Sequence, residues 1–216
     1  MEQKRSRIVV LLRGIGSAVA WFAVIAQLYL IIINRVTSVP ETIIRYFSFY
    51  TILTNILVAL CLTISFLKPN SSWGKFFTRT ATVTAIAVYI FVVGLVYNLI
   101  LRFLWKPEGM QRLVDELLHS IIPVLYIVYW YIFTPKTRLK WINALTWLLY
   151  PLVYIIFILL RGEASGFYPY PFIDVNKLGY STVFLNCFFL FLTFLFFSLL
   201  SIFIGRFISK SSQPLS

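Results

Sequence analysis

Asp115 and His119 stand four residues apart at the head of a long apolar run, with Pro123 four residues further on. His119 is the only histidine in the chain. On a helix this spacing sets both side chains on one face, where a carboxylate orients an imidazole and fixes its tautomer. Proline has no N–H for the carbonyl of residue i−4, here His119, so the helix is expected to bend there and leave that carbonyl free. An ionisable group within hydrocarbon is costly enough to mark a functional position by default. A second set, Ser48, Thr51 and Asn55, recurs at i, i+3 and i+7 and forms a stripe on an otherwise apolar segment. Thr54 points roughly 100° away from Thr51. A threonine hydroxyl becomes a nucleophile when a base takes its proton, and His119 is the only histidine that could. Asn55 or Asn98 would donate hydrogen bonds to a developing oxyanion.

These residues need a scaffold, and the composition says which kind. The chain is 60% hydrophobic and 12% charged, with a mean hydropathy of +0.88, far too apolar for a soluble domain. Six segments reach the roughly 20 residues needed to cross a bilayer core: 8–33, 43–67, 81–104, 113–133, 141–160 and 178–204. The expected fold is all-α, a single polytopic domain of six transmembrane helices over 1–216. Arg13 interrupts the short apolar core before Ala18-Val19-Ala20, and the apolar stretch runs on to Ile33, so a retained first helix is expected rather than a cleaved signal. Seven of the nine prolines fall between or after these spans, as breakers should. Cys61 and Cys187 lie deep in apolar runs without metal or redox spacing and read as packing residues. No metal or cofactor is expected.

The formal charge of +12 is unevenly shared. One set of loops and termini carries twelve basic residues against the single acid Glu2; the other carries seven against six. This asymmetry assigns the basic side, with both termini, to the cytoplasm. It also accounts for the surplus without a nucleic-acid partner. No repeat relates the first three spans to the last three, so the inverted-repeat architecture of secondary transporters has no support. With this topology Gln27, Ser48, Thr51, Thr54, Asn55, Asn98, Asp115, Glu116, His119, Ser120, Tyr154, Arg161, Tyr180 and Asn186 come to the outer half of the membrane or near its middle. Such a shared depth suggests a polar cavity, although single polar residues also serve as interhelical hydrogen-bonding groups. The aromatic and proline-rich loop 161–177 is expected to fold back over the bundle mouth, as a lid or as an interfacial aromatic belt.

The run Phe49-Tyr50-Thr51-Ile52-Leu53-Thr54-Asn55, the stretch Leu118 to Pro123, and Trp147 to Pro151 through Tyr168-Pro169-Tyr170-Pro171-Phe172 to Gly179-Tyr180 resemble a family of small bacterial six-helix membrane proteins. That resemblance implies the bacterial inner membrane. More distantly, the threonine and histidine motifs resemble the animal androgen-induced and androgen-dependent membrane proteins, intramembrane threonine hydrolases of fatty acid esters of hydroxy fatty acids. Carried over, the resemblance places the nucleophile on Thr51 and the base on His119. The interval from the threonine to the following Asn is one residue longer here and no second histidine is present, which keeps Thr54 as an alternative nucleophile. Ser48, Tyr154, Arg161, Asp174 and Asn186 complete the candidate lining for an amphipathic ester or membrane lipid. A non-catalytic binder or transporter of lipids or small solutes would use the same cavity, with Asp115, His119 and Arg161 holding a headgroup or relaying protons.

Overall fold

The structure, a computed structural model, describes residues 2–136 and 139–211, with side chains over 7–136 and 139–208. Arg138, one of the twelve basic residues, and Pro214, one of the seven prolines outside the spans, lie outside the described residues, and Glu2, Lys4, Arg5 and Lys210 are placed by backbone alone. Among the described residues the chain is helical and holds no strand, and six helical stretches are long and apolar enough to cross a membrane.

The first is α1 (Glu2–Ile33). The expected second span, 43–67, is two helices. The short amphipathic α2 (Val39–Phe47) is capped by Ser38, whose hydroxyl accepts from the Glu41 N–H, and has proline in its first turn. The spanning α3 (Tyr50–Leu67) follows. Between them the Ser48 N–H returns to Arg45 O and Phe49 adopts an extended conformation (φ −82°, ψ 124°), which ends one helix and starts another. The expected Ser48–Thr51–Asn55 stripe is therefore broken. Ser48 caps α2, and its hydroxyl turns back to Ile44 O at 2.7 Å.

A short α4 (Ser72–Phe77) leads into α5 (Thr80–Leu99), which tightens to a 3₁₀ turn over Leu101–Phe103. The fourth span joins α6 (Gly109–Glu116) and α7 (Ile122–Phe133) through a π-turn, Leu117–Ile121. The expected distortion before Pro123 is thus an inserted π-turn with His119 at its centre, and the Ile122 N–H reaches Leu117 O, five residues back. A π-turn inside an α-helix is rare and often accompanies a functional site. The fifth span runs from α8 (Ile142–Trp147) into α9 (Leu149–Ser165). The last, α10 (Val175–Ser211), is broken at Gly179, whose φ of +72° suits glycine alone among common residues.

Successive spans alternate in direction, and polar contacts pair their ends. At the basic end Arg13 reaches Ser65 O at 3.2 Å, and Thr80 reaches Pro135 O at 2.8 Å. The Lys136 ammonium, buried, donates to the carbonyls of Trp130, Tyr131 and Thr134 at the end of α7, where cationic donors complete the unpaired C-terminal acceptors. At the opposite end Gln111 donates to Gln27 at 2.9 Å, and Arg161 pairs with Glu41 at 3.0 Å.

The π-turn packs against α5 at Gly94. A Cβ there would lie 3.1 Å from His119 O and 3.2 Å from Pro123 Cβ. Gly94→Val is expected to push α5 off the turn and to cost about 1–3 kcal/mol, the scale of overpacking a filled interior. A lowered unfolding midpoint of the detergent-solubilised protein, against wild type, measures it.

Candidate functional site

The π-turn creates a problem that two asparagines solve. Pro123 has no N–H for the carbonyl of Leu118, five residues back, or of His119, four back. Asn55 Nδ2, from α3, donates to Leu118 O at 3.2 Å, and Asn98 Nδ2, from α5, donates to His119 O at 3.3 Å. Each amide spends its second N–H on its own helix, Asn55 on Thr51 O and Asn98 on Gly94 O. This corrects the expectation that either asparagine faces an oxyanion, because both N–H bonds of both side chains are already committed to backbone carbonyls. The pair instead pins the turn that carries His119 between α3 and α5.

His119 is held on three sides. Its Nδ1 lies 2.9 Å from Asp115 O and 3.2 Å from Asp115 Oδ1. Both are acceptors when the carboxylate is ionised, so in the neutral ring Nδ1 carries the proton and Nε2 the lone pair. No described residue bonds Nε2. The ring stacks on Tyr97 at 4.0 Å between centroids and 15° between planes. The Tyr97 hydroxyl in turn donates to Asp115 Oδ2, so both oxygens of this buried carboxylate are occupied. Arg102 lies over the Tyr97 ring at 5.2 Å and bonds Glu116 at 2.6 Å and Ser120 at 3.0 Å. Of this group sequence reasoning found Asp115 and His119 through their spacing. It missed Tyr97, which precedes Asn98 and is joined to the dyad only by the packing of α5 on the π-turn.

His119, Asp115 and Tyr97 line a cavity of about 890 Å³. Its other walls are α1 with Gln27 and Asn34, the segment Leu104 to Glu108, the start of α3 with Thr51, and Pro169 to Pro171 of the long loop. The size lies within the range of small-molecule sites. Thr51 and His119 face the same space, but among the described residues no hydrogen bond joins them. Thr51 Oγ1 meets the Tyr170 hydroxyl at 3.5 Å, and the Thr51 N–H donates to the same oxygen at 3.3 Å. Thr54 lines no part of this cavity; fully buried, it faces Tyr150 at 3.5 Å. Behind Thr51 and Tyr170 a narrow apolar crevice of about 70 Å³ runs between α5, α9 and α10, and Tyr154 lines it.

The loop over the mouth is built in place. Tyr170 stacks on Phe172 at 5.3 Å and meets Phe49 edge-on at 5.8 Å, while Ile173 is wholly buried. Burial raises the Tyr170 phenol above its ordinary pKa, so it stays a neutral O–H at neutral pH. Four residues expected to line a binding site brace this loop or the α2–α3 break, and of them only Tyr154 also lines the crevice. Arg161 bonds Glu41 and, at 3.3 Å, Phe167 O. Asn186 donates to Phe172 O at 2.8 Å, and Tyr154 donates to Ser48 O at 2.9 Å. Asp174 pairs with Lys177 at 3.4 Å. Arg161, Asp174, Asn186 and Ser48 touch neither the cavity nor the crevice. Arg45 and Arg161 both lie over the Phe167 ring. The Glu41 carboxyl beneath them is held below its ordinary pKa, first by its hydrogen bond from Arg45 and also by Arg161.

The chain matches no family model, no curated protein and no solved structure. The site therefore rests on its own geometry.

Because His119 is the only histidine, its imidazole nitrogens are a unique spectroscopic probe. In ¹⁵N-histidine-labelled protein at a pH where the ring is neutral, the Nδ1–H tautomer is expected. Asp115→Ala, which removes one of the two Nδ1 acceptors, is expected to mix the tautomers. An Nε2–H ring in the wild type would contradict the assignment.

Proposed function

We propose that the chain is a multi-pass protein of a bacterial inner membrane that hydrolyses amphipathic esters with a fatty-acyl part. Its basic end and both termini face the cytoplasm, and its cavity opens in the outer half of the bilayer. The observation that carries this reading is the imidazole of His119, oriented through Nδ1 by Asp115 and bare at Nε2, on the wall of a cavity that also holds Thr51. A base so prepared is what a threonine needs in order to attack. The distant resemblance to intramembrane threonine hydrolases names the same two residues.

In this reading His119 Nε2 takes the Thr51 hydroxyl proton as Oγ1 bonds to the ester carbon, and the carbonyl electron pair moves onto its oxygen. Collapse of that intermediate breaks the bond to the alcohol, which leaves with the proton from His119. Water then attacks the acyl-threonine, giving up a proton to His119, and the acid departs as Oγ1 regains its proton. The sum is ester and water to acid and alcohol. Asp115 holds the imidazolium in register throughout and does not itself change protonation. Catalytic hydrogen bonds commonly close only with substrate bound, which suits a threonine and histidine that share a cavity before they share a proton. The apolar crevice behind Thr51 lies where the first carbons of the acyl chain would enter.

The pairing of Thr51 with Tyr170 favours a second reading, a lipid- or small-solute-binding protein or transporter that uses the same cavity without chemistry. Hydrolysis separates the two. Purified protein in detergent or nanodiscs is expected to cleave a fluorogenic medium- or long-chain ester. Thr51→Ala and His119→Ala are each expected to lower kcat by at least about 10²-fold, and Thr54→Ala to leave it within a few-fold. Full activity in both of the first two variants would remove the hydrolase reading.

A further inference from the structure

The hydrolase reading leaves one catalytic need unmet: something must hold the oxyanion, and Asn55 and Asn98 are both spent on the π-turn. Two donors do lie beside the proposed nucleophile. The Thr51 backbone N–H belongs to the first turn of α3, where no carbonyl of the same helix can accept it. The Tyr170 hydroxyl sits 3.3 Å from that nitrogen and 3.5 Å from Thr51 Oγ1.

We infer that the Tyr170 hydroxyl and the Thr51 backbone N–H together form the oxyanion hole of this site, a proposal that rests on the hydrolase reading. The phenol oxygen marks the place. It accepts the Thr51 N–H from the position that an ester carbonyl oxygen would take, next to the hydroxyl that attacks. A bound carbonyl oxygen replaces the phenol oxygen in front of the amide. Tyr170 then withdraws by about one hydrogen-bond length, roughly 3 Å, and turns its O–H onto the incoming oxygen. When Oγ1 bonds to the ester carbon, the electron pair displaced onto the carbonyl oxygen is met by two neutral donors, and Tyr170 keeps its proton throughout. Donors aimed at the oxygen where charge develops supply much of the rate of acyl transfer.

The surroundings fit such a task. Tyr170 is kept beside Thr51 by its stack on Phe172 and its edge contact with Phe49, and the Asn186 amide ties the Phe172 carbonyl to α10. Thr51 and Tyr170 are also among the few residues that line both the large cavity and the apolar crevice. A carbonyl held between them has its acyl chain on the crevice side, and its alcohol on the side of His119, which delivers the leaving-group proton.

The test compares full-length wild type, Tyr170→Phe, Tyr150→Phe, Thr51→Ala and His119→Ala on 4-methylumbelliferyl octanoate. Tyr170→Phe keeps the ring that packs on Phe172 and Phe49, and thermal unfolding confirms that each variant is folded. Tyr150→Phe removes another phenol hydroxyl in the helix bundle, the half-buried one facing Thr54 at 3.5 Å, and controls for loss of an interior polar group. Tyr170→Phe is expected to lower kcat by about 10²-fold with KM changed by less than about threefold, and Tyr150→Phe to retain kcat. Equal losses in both phenylalanine variants, or a Tyr170→Phe loss confined to KM, would overturn the proposal. If Thr51→Ala and His119→Ala abolish turnover while Tyr170→Phe keeps it, the oxyanion hole lies elsewhere and the hydrolase reading stands. If wild type does not turn over, or Thr51→Ala does, the reading fails and this inference falls with it.

Discussion

Two backbone carbonyls organise this protein. Pro123 deprives Leu118 O and His119 O of an amide partner in the apolar interior, where an unsatisfied peptide group costs several kcal/mol. Side-chain amides from two other helices, Asn55 on α3 and Asn98 on α5, supply the missing donors. That substitution ties three helices together at one depth and fixes a π-turn that a lone helix would have little reason to form. It also sets the position of His119, because the carbonyl and the side chain of Asp115 both reach back to its Nδ1 from the previous turn. The close approach at Gly94 is the steric counterpart of the same arrangement.

Around this fixed point the polar residues divide between support and exposure. Glu41, Arg45, Arg161, Asn186 and Tyr154 hold the long loop and the α2–α3 break, and most of their donors end on carboxylate or backbone oxygen. What they hold in place is a cavity wall, with Thr51 at the start of α3 and Tyr170 at the loop's inner turn. Among the described residues that line the cavity, His119 is the one with an imidazole and an uncommitted ring nitrogen. Asp115, doubly bonded by Tyr97 and His119, is buried with both oxygens in use.

The helical spans were legible in sequence because hydrocarbon thickness demands a minimum run of apolar residues, and each such run carries a helix. The Asp115–His119 contact was legible because four-residue spacing is a property of one helix, and the distortion at Pro123 because a missing N–H is covalent. The break at Ser48 and Phe49 was not, since hydropathy does not register a change in backbone dihedrals within an apolar segment. The tasks of Asn55 and Asn98 were hidden for a different reason. Their partners are carbonyls made available only by the π-turn, on a helix more than twenty residues away from Asn98 and over sixty from Asn55. Tyr97 and Tyr170 were likewise invisible as site residues, because a stacking ring or a capping hydroxyl depends on which helix packs against which.

The central claim is that Thr51 is an activated nucleophile, and covalent capture tests it most directly. Wild-type protein in nanodiscs is treated with an alkyl fluorophosphonate, digested, and mapped by mass spectrometry. The account requires a single adduct on Thr51, formed many-fold more slowly in His119→Ala. An unlabelled wild-type protein, or an adduct on Thr54 with Thr51 unmodified, would contradict it.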